Sequence, residues 1–169
     1  MIATRPDVAE VWEWLGDVPD PEVPAVSIVD LGIVRDVAWR GESGEANLVV
    51  SLTPTYSACP ATRVIEREVQ RVLRERGIAR VRIDVVLSPA WTTDWMSDAG
   101  REKLRAYGIA PPQRTAGVLD ITGFVAPSVS CPRCSSSDVE LTSRFGSTPC
   151  KALYRCKACR EPFDHFKCH

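Results

Sequence analysis

The sequence has only two histidines, no marked excess of positive or negative charge, and no long apolar run. The net charge is −1, so composition does not favour binding to nucleic acid or to an anionic membrane. No run approaches the roughly 20 apolar residues that span a bilayer. The opening segment "MIATRPDVAEVWEW" lacks the apolar core of a signal peptide. We therefore expect a cytoplasmic protein that binds neither nucleic acid nor membrane.

The two histidines, His165 and His169, both lie close to the C-terminus. The rest of the chain has no histidine that could activate a nucleophilic cysteine as a general base. A thiol enzyme is therefore disfavoured, and no cofactor-binding or substrate-binding signature is present. In the cytoplasm thiols stay reduced, so clustered cysteines favour metal binding over disulfides.

The periodicity of apolar residues predicts an α+β fold, in which a small mixed sheet is packed by helices. A strand, a helix and a strand follow a glycine-rich hairpin, so the outer two strands should be parallel and joined by a right-handed crossover. Gly77 and Gly108 are expected to end their helices. The predicted helices are 5–18, 60–77 and 94–108, and the predicted strands are 32–40, 46–52 and 81–87.

Alternation and helical spacing also predict which side chains are buried. The central helix should bury one stripe, and the last strand should direct every second residue toward the core. These residues are Ala61, Val64, Ile65, Val69, Val72 and Leu73 on the helix, and Val81, Ile83, Val85 and Leu87 on the strand.

Cys59 stands alone, between the end of a predicted strand and the proline that opens the central helix. Its position predicts the N-cap of that helix, with Pro60 at the first helical position. A thiol at a helix N-terminus has a lowered pKa and is available as a thiolate for a soft metal. The alternative is that Cys59 is a small buried hydrophobe.

The segment "SPAWTTDW" follows the second of the two parallel strands. Because parallel strands end at the same edge of a sheet, this loop should lie near Cys59, at the edge where α/β proteins place ligands. Asp94 would then give the site an acidic wall. Trp91 and Trp95 either close the edge of the core or line a groove for a partner.

The C-terminal segment contains two CxxC pairs, Cys131–Cys134 and Cys156–Cys159. Pairs of this kind are typical of a tetrahedral thiolate site, usually for structural zinc. A segment of this size can hardly fold on its own apolar surface, whereas zinc contributes about 10–16 kcal/mol to such domains. Ser135 and Arg160 follow the pairs, at positions where such ribbons often have glycine.

Cys150, Cys168 and the two histidines are further candidate ligands in the same segment. With four ligands already present, they would either form a second, open site or have no role, and Cys150 is the strongest of them. The predicted organisation is an α/β domain over residues 1–120, a linker over 121–130 and a zinc-ribbon-like domain over 131–169.

The stretches "DPEVPAVSIVDLGIVRDV" and "TPTYSACPA" resemble the metal–sulfur-cluster assembly family, over about residues 7–90. Together with "LSPAWTTDWMS", "YGIAPP" and the cysteine-rich tail, these stretches cover most of the chain and are similar to the phenylacetate-degradation branch of that family. The resemblance implies that Cys59 is the functional cysteine and that the two CxxC pairs bind the metal of the ribbon. Ala58 stands where relatives often have glycine, which would restrict the loop around the thiol.

The resemblance also implies that Asp20, Glu22 and Asp30 form an acidic motif of the assembly domain. As residues in a proline-rich stretch and at a strand start, they are equally typical of turns and caps. The implied function is maturation of a phenylacetyl-CoA epoxidase, with iron or an iron–sulfur cluster as transient cargo. The expected partners are its oxygenase or reductase components. The alternatives are a structural or accessory subunit of that complex, and a homodimer is also left open.

Overall fold

The computed structural model describes residues 5–41, 46–114 and 129–167. The chain divides into two compact units, 1–91 and 92–169. The predicted linker, 121–130, lies outside the described residues except for its last two positions. The domain limits therefore stay a prediction. No helix among the described residues is long and apolar enough to cross a membrane.

The first unit contains a three-stranded sheet with the order β1-β2-β3. Strand β1 pairs antiparallel with β2, and β2 pairs parallel with β3. The predicted parallel pairing of these two strands and the α+β fold class are thus confirmed. The elements are α1 (Val8–Gly16), β1 (Val34–Arg40), β2 (Asn47–Leu52), α2 (Thr62–Glu75) and β3 (Val81–Val85).

The core of this unit lies on the face of β2 that carries Leu48, Val50 and Leu52, all buried. Apolar residues spaced four apart on the helices are buried with them, and each contributes about 1.5–3 kcal/mol by leaving water. They are Val11 and Leu15 of α1 and Ile65, Val69 and Leu73 of α2. Gly77 has a φ of 89° just beyond α2, as its predicted role as a helix stop requires.

Three predictions of burial are wrong. Val64, Val85 and Leu87 are 44%, 41% and 53% exposed. The register places Val85 opposite Leu52, so it lies on the predicted face of the sheet. It is exposed because β3 is the last strand of this sheet among the described residues, so its side chains have a neighbouring strand on one side only.

The second unit contains a four-stranded sheet with the order β4-β7-β6-β5. Its helix α3 begins at Asp98 rather than at the predicted residue 94, because Ser97 caps it by accepting a hydrogen bond from the N–H of Gly100 (2.9 Å). A 3₁₀ turn, Thr93–Trp95, precedes the cap. The elements are α3 (Asp98–Tyr107), β4 (Ile109–Ala110), β5 (Val139–Ser143), β6 (Lys151–Cys156) and β7 (Pro162–Phe166).

Candidate metal centre and thiol site

The four cysteines of the two CxxC pairs form one cluster. Their sulfur atoms all lie within 4.8 Å of one another. The Sγ–Sγ distances are 3.8 Å for Cys131–Cys159 and 3.5 Å for Cys134–Cys156. A tetrahedral zinc ion with Zn–S bonds of about 2.3 Å requires sulfurs about 3.8 Å apart. The predicted ligand set therefore fits a zinc ion.

Each CxxC pair is held by a tight backbone turn. The N–H of Ser135 donates to the carbonyl of Cys131 (2.9 Å), and the N–H of Cys156 donates to the carbonyl of Glu161 (3.0 Å). Ser135 and Arg160 have φ angles of 61° and 65°, in the left-handed region that favours glycine. At the two positions where such ribbons often have glycine, this chain therefore has serine and arginine in the backbone conformation that glycine adopts most easily.

Glycine at these two turns should stabilise the ribbon. We expect Arg160→Gly to raise its free energy of unfolding by about 0.5–1 kcal/mol, because relief of left-handed strain exceeds the extra chain entropy of glycine. Thermal unfolding in the presence of a zinc buffer would measure the difference. Arg155→Gly is the matched control and should destabilise the ribbon, because Arg155 lies in a strand. An Arg160→Gly variant less stable than wild type would contradict the prediction.

Hydrogen bonds within the cluster prepare one thiol to lose its proton. The pKa of Cys156 is lowered to about 7. The largest cause is a hydrogen bond from the backbone N–H of Cys159, and the thiols of Cys134 and Cys159 lower the pKa further. Together these hydrogen bonds outweigh desolvation, which raises the pKa. Cys131 and Cys156 are buried, whereas Cys134 and Cys159 are exposed. Cys131 and Cys156 also share a small core with Ala110, Val129 and Phe163, so the cluster and the fold of this unit depend on each other.

The other candidate ligands of the tail lie outside this cluster or outside the described residues. Cys150 is buried, and its sulfur lies 3.0 Å from the hydroxyl of Thr148. His165 is also buried, which lowers its pKa to about 4, and its ring packs against the edge of Tyr154. Cys168 and His169 are not among the described residues.

Cys59 is not the N-cap of α2, so that prediction is wrong. The helix begins at Thr62 and its N-cap is Ala61. Cys59 lies in the preceding turn, where its N–H donates to the carbonyl of Tyr56 (3.1 Å) and its own carbonyl accepts from the N–H of Thr62 (3.2 Å). The thiol is half-buried rather than fully buried. It is therefore partly accessible, and it lies two residues before the N-cap of α2 rather than at it.

The pKa of Cys59 is raised, contrary to the prediction of a lowered one. Burial is the largest cause, and the negative charges of Glu22 and Asp20 add to it. The N–H of Ala61 and the side chain of Tyr56 act in the opposite direction but are outweighed. The thiol is thus protonated at neutral pH, and it lies within electrostatic reach of two carboxylates that would attract a cation.

The acidic residues also shape the loop that carries them. Asp20 is buried, and its Oδ1 accepts hydrogen bonds from the N–H groups of Glu22 (2.9 Å) and Val23 (2.8 Å). Asp30 is buried too: its Oδ2 accepts from the N–H of Ser27, whose hydroxyl accepts from the N–H of Asp30. Asp30 therefore stabilises a turn. Asp20 also stabilises a turn, and its negative charge raises the pKa of Cys59.

The structure tests only part of the prediction for the segment "SPAWTTDW", which contains Trp91 and Trp95. Val86 donates its N–H to the carbonyl of Leu52 (2.8 Å), so β2 and β3 end side by side as predicted. Trp91 is buried, and its indole N–H donates to the carbonyl of Leu31 (2.8 Å), which makes it part of the core. Asp94 and Trp95 belong to the second unit, and their proximity to Cys59 stays a prediction.

Sequence reasoning missed Tyr56 and Thr62. Tyr56 lies close enough to the thiol of Cys59 to oppose the rise in its pKa. The hydroxyl of Thr62 is buried without a hydrogen-bond partner among the described residues. Both residues flank Cys59 within "TYSACPAT", so polar side chains next to the lone cysteine were the available signal.

The raised pKa of Cys59 predicts its reactivity. We expect slow alkylation by iodoacetamide at pH 7 and a rate that rises about tenfold per pH unit up to pH 9, because the thiolate reacts. Glu22→Gln removes a charge that raises the pKa, so it should speed alkylation at pH 7. Peptide mapping by mass spectrometry of the zinc-loaded protein would measure the rate at Cys59 alone.

The matched control for this experiment is Glu75→Gln, at the other end of α2. The helix rises about 1.5 Å per residue, which places Glu75 about 20 Å from the start of α2 and beyond effective charge interaction. It should leave the rate unchanged. Equal rates for Glu22→Gln and wild type would contradict the assigned effect of Glu22.

Comparisons with known proteins agree with this geometry. A family model described as "Iron-sulfur cluster assembly protein" matches residues 8–85, and one described as "PaaD zinc beta ribbon domain" matches residues 117–167. A protein of Escherichia coli (strain K12), named as a subunit of a "Putative 1,2-phenylacetyl-CoA epoxidase", is 49% identical over 163 residues, which are 96% of this chain and 94% of that protein.

Two other relatives match somewhat more than half of the chain. A "Fe-S protein maturation auxiliary factor" of Porphyromonas gingivalis is 32% identical over 98 residues, which are 57% of this chain and 87% of that protein. The crystal structure of a domain of unknown function, DUF59, from Bacillus anthracis has a TM-score of 0.51 and 31% identity. It covers 57% of this chain and 89% of the Bacillus chain.

The fold and the two cysteine sites define an iron–sulfur cluster assembly domain joined to a zinc β ribbon. The chain belongs to the PaaD family. The resemblance seen in the sequence is thereby confirmed.

Proposed function

We propose that this protein is a maturation factor that delivers iron or an iron–sulfur cluster to the multicomponent phenylacetyl-CoA epoxidase. Two names support it: a relative over nearly the full length is named as a putative subunit of that epoxidase, and a relative over 57% of the chain is named as an iron–sulfur protein maturation auxiliary factor. Its place is then in the cytoplasm, where the predicted partners are the oxygenase or reductase components.

The observation that carries this proposal is the half-buried thiol of Cys59 beside Asp20 and Glu22. A ferrous ion attracted by the carboxylates would displace the thiol proton to solvent and form one Fe–S bond. The Cys59 sulfur would regain a proton when the ion leaves for the recipient. One thiolate with nearby carboxylates, unlike four thiolates, holds a metal weakly enough to release it.

The four-cysteine cluster has a different role in this scheme. When bound there, zinc would hold the ribbon together, with Cys131, Cys134, Cys156 and Cys159 as its ligands. The ribbon would dock the epoxidase component. Two exposed apolar side chains support a docking role: Leu141 on strand β5 is 48% exposed, and Phe145 in the loop after it is 68% exposed.

A structural or accessory subunit is the second candidate function, and the name of the Escherichia coli relative favours it. The two functions differ in stoichiometry. A permanent subunit would copurify with the epoxidase at a fixed ratio and would be needed during turnover. A maturation factor would be dispensable once the epoxidase holds its metal.

The deciding experiment compares epoxidase purified from cells with and without this protein. Maturation requires that the epoxidase made without it is iron-poor and inactive. It also requires that the epoxidase made with it stays active after this protein is removed by washing. Full iron content without this protein would refute the maturation role, and loss of activity on washing would favour the accessory subunit.

A further inference from the structure

Strand β3 is the edge of the sheet formed by the described residues of the first unit. The N–H of Leu48 donates to the carbonyl of Arg80, and the N–H of Val86 donates to the carbonyl of Leu52. In a parallel ladder these bonds recur at every second residue, so the even-numbered residues of β3 turn their backbone groups toward β2. The odd-numbered residues Val81, Ile83 and Val85 therefore direct their backbone N–H and C=O groups away from β2, toward the open edge of the sheet.

The open edge can pair with a second copy of itself in an antiparallel register that sets odd-numbered residues against odd-numbered residues. If the two-fold axis passes through Ile83, that residue faces its own copy and Val81 faces Val85. All outward N–H and C=O groups then fall in hydrogen-bonded pairs, as an antiparallel ladder requires. A shift by one residue would place inward-turned groups against outward ones.

The charges of β3 are complementary in the same register. Arg82 lies opposite Asp84 of the second copy, and Asp84 lies opposite its Arg82. Within one chain these side chains already form an ion pair of 2.7 Å, and Arg82 is 68% exposed. Two copies would combine them into a network of four alternating charges, in the close non-hydrogen-bonded positions of the ladder.

We propose that this protein forms a symmetric dimer through antiparallel pairing of β3 with β3 of a second copy. The three-stranded sheet then becomes a continuous sheet across the two-fold axis. Exposed apolar side chains at the end of the strand support this: Val85, Val86 and Leu87 are 41%, 36% and 53% exposed. Pairing would bury Val85 against Val81 of the second copy and remove an open edge that otherwise invites aggregation.

The charge pairs give the first test. Wild-type full-length protein, loaded with zinc, should sediment at twice the 18.6 kDa of one chain at high concentration and dissociate on dilution. Arg82→Asp or Asp84→Arg alone places like charges opposite each other at two positions and should weaken the dimer about tenfold or more. The double variant Arg82→Asp/Asp84→Arg reverses both charges and should restore dimerisation.

A crosslink gives the second test and fixes the register. Paired Cα atoms at the axis lie about 5.5 Å apart, within reach of a disulfide, so Ile83→Cys should yield a covalent dimer under mild oxidation. Val85→Cys is the matched control on the same edge. Its two copies would lie about 14 Å apart and should not crosslink. Wild-type protein in the same experiment accounts for the native cysteines.

A wild-type chain that stays monomeric at about 0.2 mM, far above a micromolar dissociation constant, would overturn the dimer. Single charge variants that dimerise like wild type would also overturn it. So would equal crosslinking of Val85→Cys and Ile83→Cys. A monomer that pairs through β3 with an epoxidase component would likewise refute it.

Discussion

Cys59→Ser should leave the phenylacetyl-CoA epoxidase iron-poor and inactive, although the variant folds. Serine keeps an acceptor for the N–H of Ala61 at a half-buried position, so the free energy of unfolding should change by about 1 kcal/mol or less. An alcohol does not deprotonate under conditions in which a metal-bound thiol does, so the affinity for iron should fall sharply. Iron content and activity of the epoxidase made with the variant are the measurements.

Two controls make the Cys59 experiment decisive. Ser57→Ala changes an exposed hydroxyl in the same turn and should support full iron loading. The thermal unfolding of Cys59→Ser, measured beside wild type, establishes that the variant is folded. Full epoxidase activity with folded Cys59→Ser would refute the carrier role and leave the accessory subunit as the better function.

Cys134→Ser should lose the metal and unfold the ribbon while the first unit stays folded. Cys134 is exposed, so its replacement costs no packing, and the whole effect comes from the lost ligand. Structural zinc contributes about 10–16 kcal/mol to the folding of such domains, more than a small core can replace. Elemental analysis should find about one zinc per wild-type chain and far less in the variant.

Limited proteolysis would locate the unfolding in the Cys134→Ser variant. Cleavage should appear among residues 129–167, while residues 5–91 remain protected. Cys150→Ser is the matched control, because Cys150 lies outside the four-cysteine cluster, and it should keep its zinc. A Cys134→Ser protein that holds one zinc and resists protease would contradict the four-ligand site.

The local elements were predictable because they depend on nearest neighbours in the sequence. The spacing of Ile65, Val69 and Leu73 identified α2, and Gly77 and Gly108 end their helices with φ angles of 89° and 93°. Helix starts were less accurate. Ala61 rather than Cys59 caps α2, because a separate turn, in which the carbonyl of Cys59 accepts from the N–H of Thr62, precedes the helix.

The metal cluster was also predictable, because a CxxC pair supplies two ligands over one short turn and two such pairs complete a tetrahedron. Strand β4 was not. Ile109 and Ala110 form a strand only because β7 lies beside them, and two residues carry no periodicity of their own. The buried alanine then joins the core that contains Cys131 and Cys156.

By itself, the sequence determined the α+β order of elements, the parallel crossover and the four-cysteine metal site, since each follows from short-range spacing. Only the tertiary structure decided the state of Cys59 and the exposure of β3. The pKa of Cys59 is raised mainly because the fold half-buries the thiol, and Glu22 and Asp20, which are distant in sequence, add to the rise. Val85 is exposed because no further strand of the described residues follows β3 in the sheet, and a neighbour across an edge is a property of the assembled fold.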